Sequence, residues 1–198
     1  LGQEIPDIEK LMNAWPQRRL EKPRRLLPAA MEGAREAGWW ADLGCGDGVF
    51  TGILVRLAPA ARGILAVDRD KRALRELRDN FERAGLAGAP FFPVRADFRH
   101  SPLGSGMEGI LIANALHFLR AEEQLALLAN CHKCIRPGGR LIVVEYNTGR
   151  STGAVPHPLP EAAFIEMAGR AGFGEAQVVV RTPSSYLGEM YAGTTKVI

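Results

Sequence analysis

Asp42-Leu43-Gly44-Cys45-Gly46-Asp47-Gly48 is the stretch of this sequence best suited to holding a ligand. Three glycines at alternate positions let the backbone turn sharply and leave no Cβ between main chain and bound molecule. A ligand there can lie against bare peptide groups and the positive end of a following helix. A glycine-rich turn alone is a weak signal, because turns use glycine everywhere. Its setting strengthens it: residues 38–41 read as a short buried strand before it, and 49–57 carry the apolar spacing of a helix after it. The spacing also excludes. Dinucleotide sites use G-x-G-x-x-G, whereas this loop reads G-x-G-x-G, with Asp47 bringing a negative charge to where a pyrophosphate would lie. No Lys-Ser or Lys-Thr pair follows, so the Walker pattern fails too. A cofactor without phosphates fits better.

Ligands of open α/β sheets lie beyond the carboxyl ends of the strands. Five successive candidate strands end on a polar side chain here: Asp42, Asp68, Asp97, Asn114 and Glu145. One such acid is commonly a helix N-cap; five in order are hard to assign to capping alone. Asp68 can accept from both hydroxyls of a ribose, or cap the helix starting near residue 70. Asp97 can accept from an exocyclic adenine amine while Phe98 offers its backbone amide to a ring nitrogen. The alternative for Asp97 is an Asx-turn.

The D-x-G-x-G-x-G string between strand and helix resembles motif I of the class I S-adenosylmethionine-dependent methyltransferases. The resemblance implies S-adenosyl-L-methionine as cofactor and S-adenosyl-L-homocysteine as product. It implies a Rossmann-like α/β fold: a mostly parallel seven-stranded sheet with an antiparallel C-terminal hairpin strand and helices on both faces. It gives Asp68, with Arg69 beside it, to the ribose, and Asp97 with Phe98 to the adenine. The loop residues Gly44, Cys45 and Gly46 go to the methionine end, where Asn114 and the Gly44 backbone can receive the amino group. Asp42 either orients that amine or braces the loop. Residues 114–118, Asn-Ala-Leu-His-Phe, also resemble the segment after strand four. The Asn-Pro-Pro-Tyr/Phe motif, which in the family marks transfer to exocyclic amines of bases, is absent.

Methyl transfer from a sulfonium is a displacement with a good neutral leaving group, and alignment can supply on the order of 7–11 kcal/mol. A dedicated base is therefore optional. His117 is one candidate, its ordinary titration range suiting proton removal near neutrality; the alternative is packing under the cofactor or capping a short helix. Tyr146 can contact substrate or simply pack. Cys131 and Cys134 form C-x-x-C, but share an apolar helix face with Leu127, Leu128 and Ile135, and no second pair supplies a zinc site. No metal is expected.

The elements that must position these groups follow a strand–helix alternation. Helices are expected at 8–15 and 26–37, separated by Pro16, Pro23 and Pro28. Strands follow at 38–43, 63–68, 90–95, 109–114 and 140–145, with helices at 49–58, 71–84 and 121–135. Two prolines mark the 90–95 strand as an edge, and Pro137-Gly138-Gly139 should break the 121–135 helix before the fifth. A Gly/Pro/Ser-rich loop at 148–160 precedes a helix near 161–171 and strands near 177–181 and within 190–197. A turn around Pro183-Ser184-Ser185 should pair those last two antiparallel. Continuous apolar strands between amphipathic helices mean a parallel sheet covered on both faces.

The 198 residues suit one domain, read as an N-terminal helical lid or arm at 1–37 and a methyltransferase domain at 38–198. No run approaches a membrane span, the first ten residues lack a signal pattern, and three cysteines describe no disulfide framework; a reducing cytoplasm is expected. Net charge is only +3, yet Arg18, Arg19, Lys22, Arg24 and Arg25 crowd one stretch. They can touch nucleic acid, clamp an anionic substrate, or form a solvated face. The favoured partner is a small-molecule methyl acceptor under a lid from the N-terminal helices and loop 148–160. Trp15 would wall that acceptor or belong to the core. An RNA methyltransferase is the nearest alternative, and an NAD-dependent oxidoreductase or a non-catalytic cofactor-binding module the alternatives from other classes.

Overall fold

The computed structural model describes residues 5–34, 37–100 and 103–198, so part of the helix expected at 26–37 lies outside the described residues. Seven strands form one sheet in the order β3-β2-β1-β4-β5-β7-β6. They are β1 (Gly38–Leu43), β2 (Ala61–Asp68), β3 (Phe91–Arg95), β4 (Met107–Ala113), β5 (Ile135–Tyr146), β6 (Gln177–Ser184) and β7 (Gly188–Lys196). Strands β3, β2, β1, β4 and β5 pair parallel, and β7 runs antiparallel to both β5 and β6. The expected reversal at the C-terminal hairpin is therefore present.

Apolar side chains alternate across the sheet and seal it on both faces. Trp40, Ile64, Leu111, Ile142 and Val144 share one core with α2 (Gln17–Met31), α3 (Val49–Leu57) and α4 (Lys71–Arg83). Ala41, Val67, Ile110, Leu141 and Tyr191 share the other with α5 (Ala121–Cys134) and α6 (Glu161–Arg170). Burial on both faces explains why β4, with every residue buried, reads as a continuous apolar run. The two tryptophans of β1 lie across neighbouring glycines: a Cβ on Gly63 would come within 2.2 Å of Trp39, and one on Gly109 within 2.2 Å of Trp40.

Four expectations are corrected. The N-terminal helix around 8–15 is only one turn, α1 (Ile8–Leu11), while Pro23 and Pro28 lie inside a continuous α2 rather than separating helices. An interior proline costs about 3 kcal/mol. Leu20, Leu26 and Leu27 on the same helix are fully buried, and each contributes roughly 1.5–3 kcal/mol. The carbonyls that lose a donor belong to Arg19 and Arg24, both exposed residues. The helix α5 ends at Cys134, close to where it was expected, but the fifth strand starts before residue 140: β5 begins at Ile135 and carries Pro137-Gly138-Gly139 as an irregularity in its pairing with β4. The hairpin turn falls at residues 185–187, with Pro183 and Ser184 still in β6, an edge strand that tolerates a missing donor. β3 is the opposite edge, as its prolines indicate.

Candidate functional site

The glycine loop is fixed by the strand beside it. Gly44 and Cys45 both donate their N–H to Val67 O, at 2.8 and 3.1 Å, and Gly46 N–H donates to Asp68 Oδ2 at 2.9 Å. Gly44 has φ +79° and its missing Cβ would lie 2.6 Å from that of Ala115; Gly48 has φ +85° and would meet Leu77 at 2.8 Å. Glycine is thus required at both positions for backbone and for close approach. Gly46 faces open space. Cys45 is buried, and desolvation pushes its thiol far above the ordinary range, so it stays a neutral packing group.

Beneath the loop Asp42 is 1% exposed. Its Oδ2 accepts from Thr51 Oγ1 at 2.6 Å, whereas its Oδ1 is buried with no partner among the described residues. Desolvation raises this carboxyl to about 7, against the Thr51 hydrogen bond and assisted by the charge of Asp68. Asp68 accepts from Asp70 N–H (2.8 Å) as well as Gly46 N–H, so it ties the β2 end to the loop. The N-cap of α4 is Asp70, which accepts from Arg72 N–H. Asp97 makes the Asx contact to Arg99 N–H (3.1 Å) and is forked by the Arg99 guanidinium. Those bonds hold it down at about 2. Asn114 sits at φ +52°, a conformation asparagine tolerates better than most residues, and its Oδ1 is also buried without a partner.

These groups converge. A cleft of about 230 Å³ is lined by Gly44, Asp68, Arg69, Asp97, Phe98 and Asn114, together with Phe118 and Arg99. Asp42 and Cys45 lie buried at the loop behind it rather than on its wall. Phe118, 59% exposed, was not singled out as a site residue, although it directly follows His117. Arg99 was also missed; an arginine two residues after Asp97 was its only signal.

A second feature was invisible in the sequence. His117, in a 3-10 turn (Leu116–Phe118), is 3% exposed, and its Nδ1 lies 2.7 Å from Oε2 of the wholly buried Glu145. The other oxygen of Glu145 accepts His117 N–H at 3.2 Å. With the carboxylate oxygen accepting, Nδ1 is the donor of this contact and Nε2 is the ring nitrogen left without a partner among the described residues. Tyr146 is half-buried, its hydroxyl pushed up by burial, with ring centres 6.2 Å from His117 and 6.0 Å from Tyr186. Tyr186, in the β6–β7 turn, shares a 3.2 Å hydroxyl contact with Thr152.

The N-terminal residues reach the same edge. Arg19 pairs with Asp47 of the glycine loop, and Lys22 Nζ donates to Ser184 at 2.8 Å. Trp15 is 1% exposed and packs under Gly52 and edge-on to Phe81, so it belongs to the core rather than to a wall over the acceptor. Cys131 is a buried thiol and Cys134 donates to Leu103 O. Among the described residues no His/Cys/Asp/Glu group is suited to hold a metal, and no helix is long and apolar enough to cross a membrane.

A family profile described as a methyltransferase domain matches residues 41–139, from the end of β1 to the start of β5. An uncharacterized methyltransferase of Mycobacterium tuberculosis is 32% identical over 108 residues, covering 54% of this chain and 50% of that protein. The chain thus spans about half the length of the curated relatives it matches first. Among solved structures, a SAM-dependent methyltransferase of Leishmania major superposes with TM-score 0.71 at 15% identity, over 96% of this chain and 81% of that one. An O-methyltransferase of neocarzinostatin biosynthesis, in complex with S-adenosyl-L-homocysteine and 1,4-dihydroxy-2-naphthoic acid, gives 0.64 at 20% identity, over 86% and 52%. At these identities the likeness shows the fold. With the glycine loop, the sheet order and the profile in agreement, the chain belongs to the class I S-adenosylmethionine-dependent methyltransferases.

Proposed function

We propose that this chain binds S-adenosyl-L-methionine at the C-terminal edge of β1, β2, β3 and β4 and transfers its methyl group to a small-molecule acceptor. The observation that carries the reading is a cleft lined by Gly44, Asp68, Asp97 and Asn114 beside a loop whose glycines leave the backbone bare, with Asn114 Oδ1 buried and unpartnered among the described residues. A cationic amino group is a triple donor, and the Asn114 and Gly44 carbonyl oxygens suit it. Asp68 has lone pairs left beyond its two backbone bonds for ribose hydroxyls, with Arg69 beside it. Asp97 and the Phe98 backbone face the adenine end, and Arg99 keeps Asp97 ionised there. When bound, the sulfonium supplies an electrophilic methyl carbon and a neutral thioether leaving group.

The remaining work falls to residues of this chain. Glu145 holds His117 by two contacts, so Nε2 is fixed as the position that accepts a proton from an acceptor hydroxyl or amine. Phe118 and Tyr146 flank this histidine, with ring centres 4.4 and 6.2 Å from it, and offer aromatic surface to an acceptor beside it. The first turns of α2, tied through Arg19 to Asp47, and loop 148–160, tied through Thr152 to Tyr186, form the cover. A small acceptor is favoured over RNA because the basic stretch is largely committed internally: Arg19 to Asp47, Lys22 to Ser184 and Arg25 to Glu21.

Calorimetric titration of S-adenosylmethionine, S-adenosylhomocysteine and NAD into wild type and Asp68→Asn tests the reading. Saturable binding of both sulfur compounds is expected, with NAD inert. Losing the charge of a doubly hydrogen-bonded carboxylate should weaken binding by on the order of tenfold or more. A melting curve for the variant separates a damaged loop from a lost contact. Binding of NAD alone, or of nothing, sinks the proposal.

A further inference from the structure

A cleft larger than the one above lies elsewhere on the molecule. It measures about 690 Å³ and lies at the opposite edge of the sheet, where β5 leaves its irregular start, β7 ends and α2 finishes. Five residues of β5 separate Arg140 here from Glu145 at the other edge, about 17 Å at ~3.3 Å per residue.

Arg140 forms its floor and is 5% exposed. Burial of a guanidinium is costly unless its donors are paired. Here Nη1 donates to Ala30 O at 2.6 Å, in the last turn of α2, while Nε is buried with no partner among the described residues. Glu108, the carboxylate whose charge acts on Arg140, is held by Arg136 through both oxygens at 2.7 Å. The residue directly opposite Arg140 in the antiparallel β5–β7 pair is Lys196, which also lines the cleft. Residues directly opposite share a face of the sheet, and like charges so placed destabilise it. Glu32 and Glu175 line the cleft from exposed positions and make no ion pair among the described residues.

We propose that this cleft is a second ligand site, in which Arg140 and Lys196 bind the carboxylate or phosphate group of a small metabolite. An oxyanion between the two cations offers the guanidinium the acceptors it lacks and converts a repulsive pair into a bridged one. The volume suits a metabolite-sized body above that group. Glu32 and Glu175 select against a bare polyanion and for a ligand whose remainder carries hydroxyl or amino donors. The site uses no residue of the methyl-transfer edge and stands independently of the function proposed there.

The test is titration of the whole chain with inorganic phosphate, and separately acetate, at constant ionic strength, followed by amide chemical shifts. Saturable shifts at Arg140, Thr194 and Lys196 are expected, with Gly44 and Asp68 unmoved. Lys196→Gln should weaken them at least tenfold while changing S-adenosylmethionine affinity less than twofold. Arg140→Gln should abolish them, and Arg140→Lys replaces it if the first variant does not fold. Saturation by phosphate alone identifies a phosphate ligand; saturation by both identifies a carboxylate-compatible one. Shifts that rise linearly, that survive Lys196→Gln unchanged, or that map to the glycine loop overturn the proposal.

Discussion

Asp42 should make the unliganded protein less stable as pH rises, and Asp42→Asn should remove that dependence. The carboxyl is raised from 3.8 to about 7, chiefly by desolvation. Between those values the native state keeps a proton that the unfolded state has released, so stability falls as pH climbs through this window and levels off above it. Three units at 1.36 kcal/mol each give roughly 4 kcal/mol as the full span. Asparagine keeps the shape and an acceptor for Thr51, but places an amide donor where Oδ1 has no partner, at a cost of about 1–3 kcal/mol. The variant should therefore match or fall slightly below wild type near pH 4.5 and exceed it above pH 7. The difference between the two should change by about 3 kcal/mol across that range, or roughly 6–12 °C in Tm for a chain of this size. Urea or thermal unfolding without ligand, at a series of pH values, measures it. Parallel pH profiles for the two proteins would refute the assignment of a buried, proton-holding carboxyl beneath the loop.

Other perturbations follow from the same contacts. Gly44→Ala combines a forbidding φ with a 2.6 Å approach to Ala115 and should cost about 1–3 kcal/mol in urea unfolding, with loss of cofactor binding by calorimetry. Glu145→Gln removes the charge that orients His117; with an acceptor in hand, kcat should fall by roughly 10²-fold or more with cofactor affinity nearly unchanged. Trp15→Ala opens a cavity between Gly52 and Phe81 and should cost about 3–5 kcal/mol, visible as a lowered urea midpoint.

The parallel sheet was legible because its signals are local. Apolar runs such as 109–113 mark strands, and Asp42, Asp68, Asp97 and Asn114 mark their carboxyl ends, since chain direction alone decides which end faces a ligand. The cleft accordingly gathers Gly44, Asp68, Asp97, Phe98 and Asn114. What was illegible depends on separation along the chain. Glu145 meets His117 across 28 residues, and Arg140 meets Ala30 across 110; no spacing rule encodes either contact. The prolines of α2 misled for a related reason. Their local cost is real, but distant β6 and β7 supply the apolar surface that outweighs it.

The position of β7 has a consequence for how the chain must be assembled. It is made after β5 and β6, yet it lies between them rather than at a margin. Until residues 188–196 leave the ribosome, β5 and β6 each present an open row of backbone donors and acceptors, and the slot between them is nine residues long. At synthesis rates of roughly 5–20 residues per second, that exposure lasts long enough for pairing with the wrong strand. Leu141, Ile142, Val143 and Val144 of β5 and Val178 and Val180 of β6 are apolar residues bordering the slot. Insertion of β7 therefore joins β5 to β6, and a ribosome stalled or a chain clipped before residue 188 would leave a sticky, unfinished sheet.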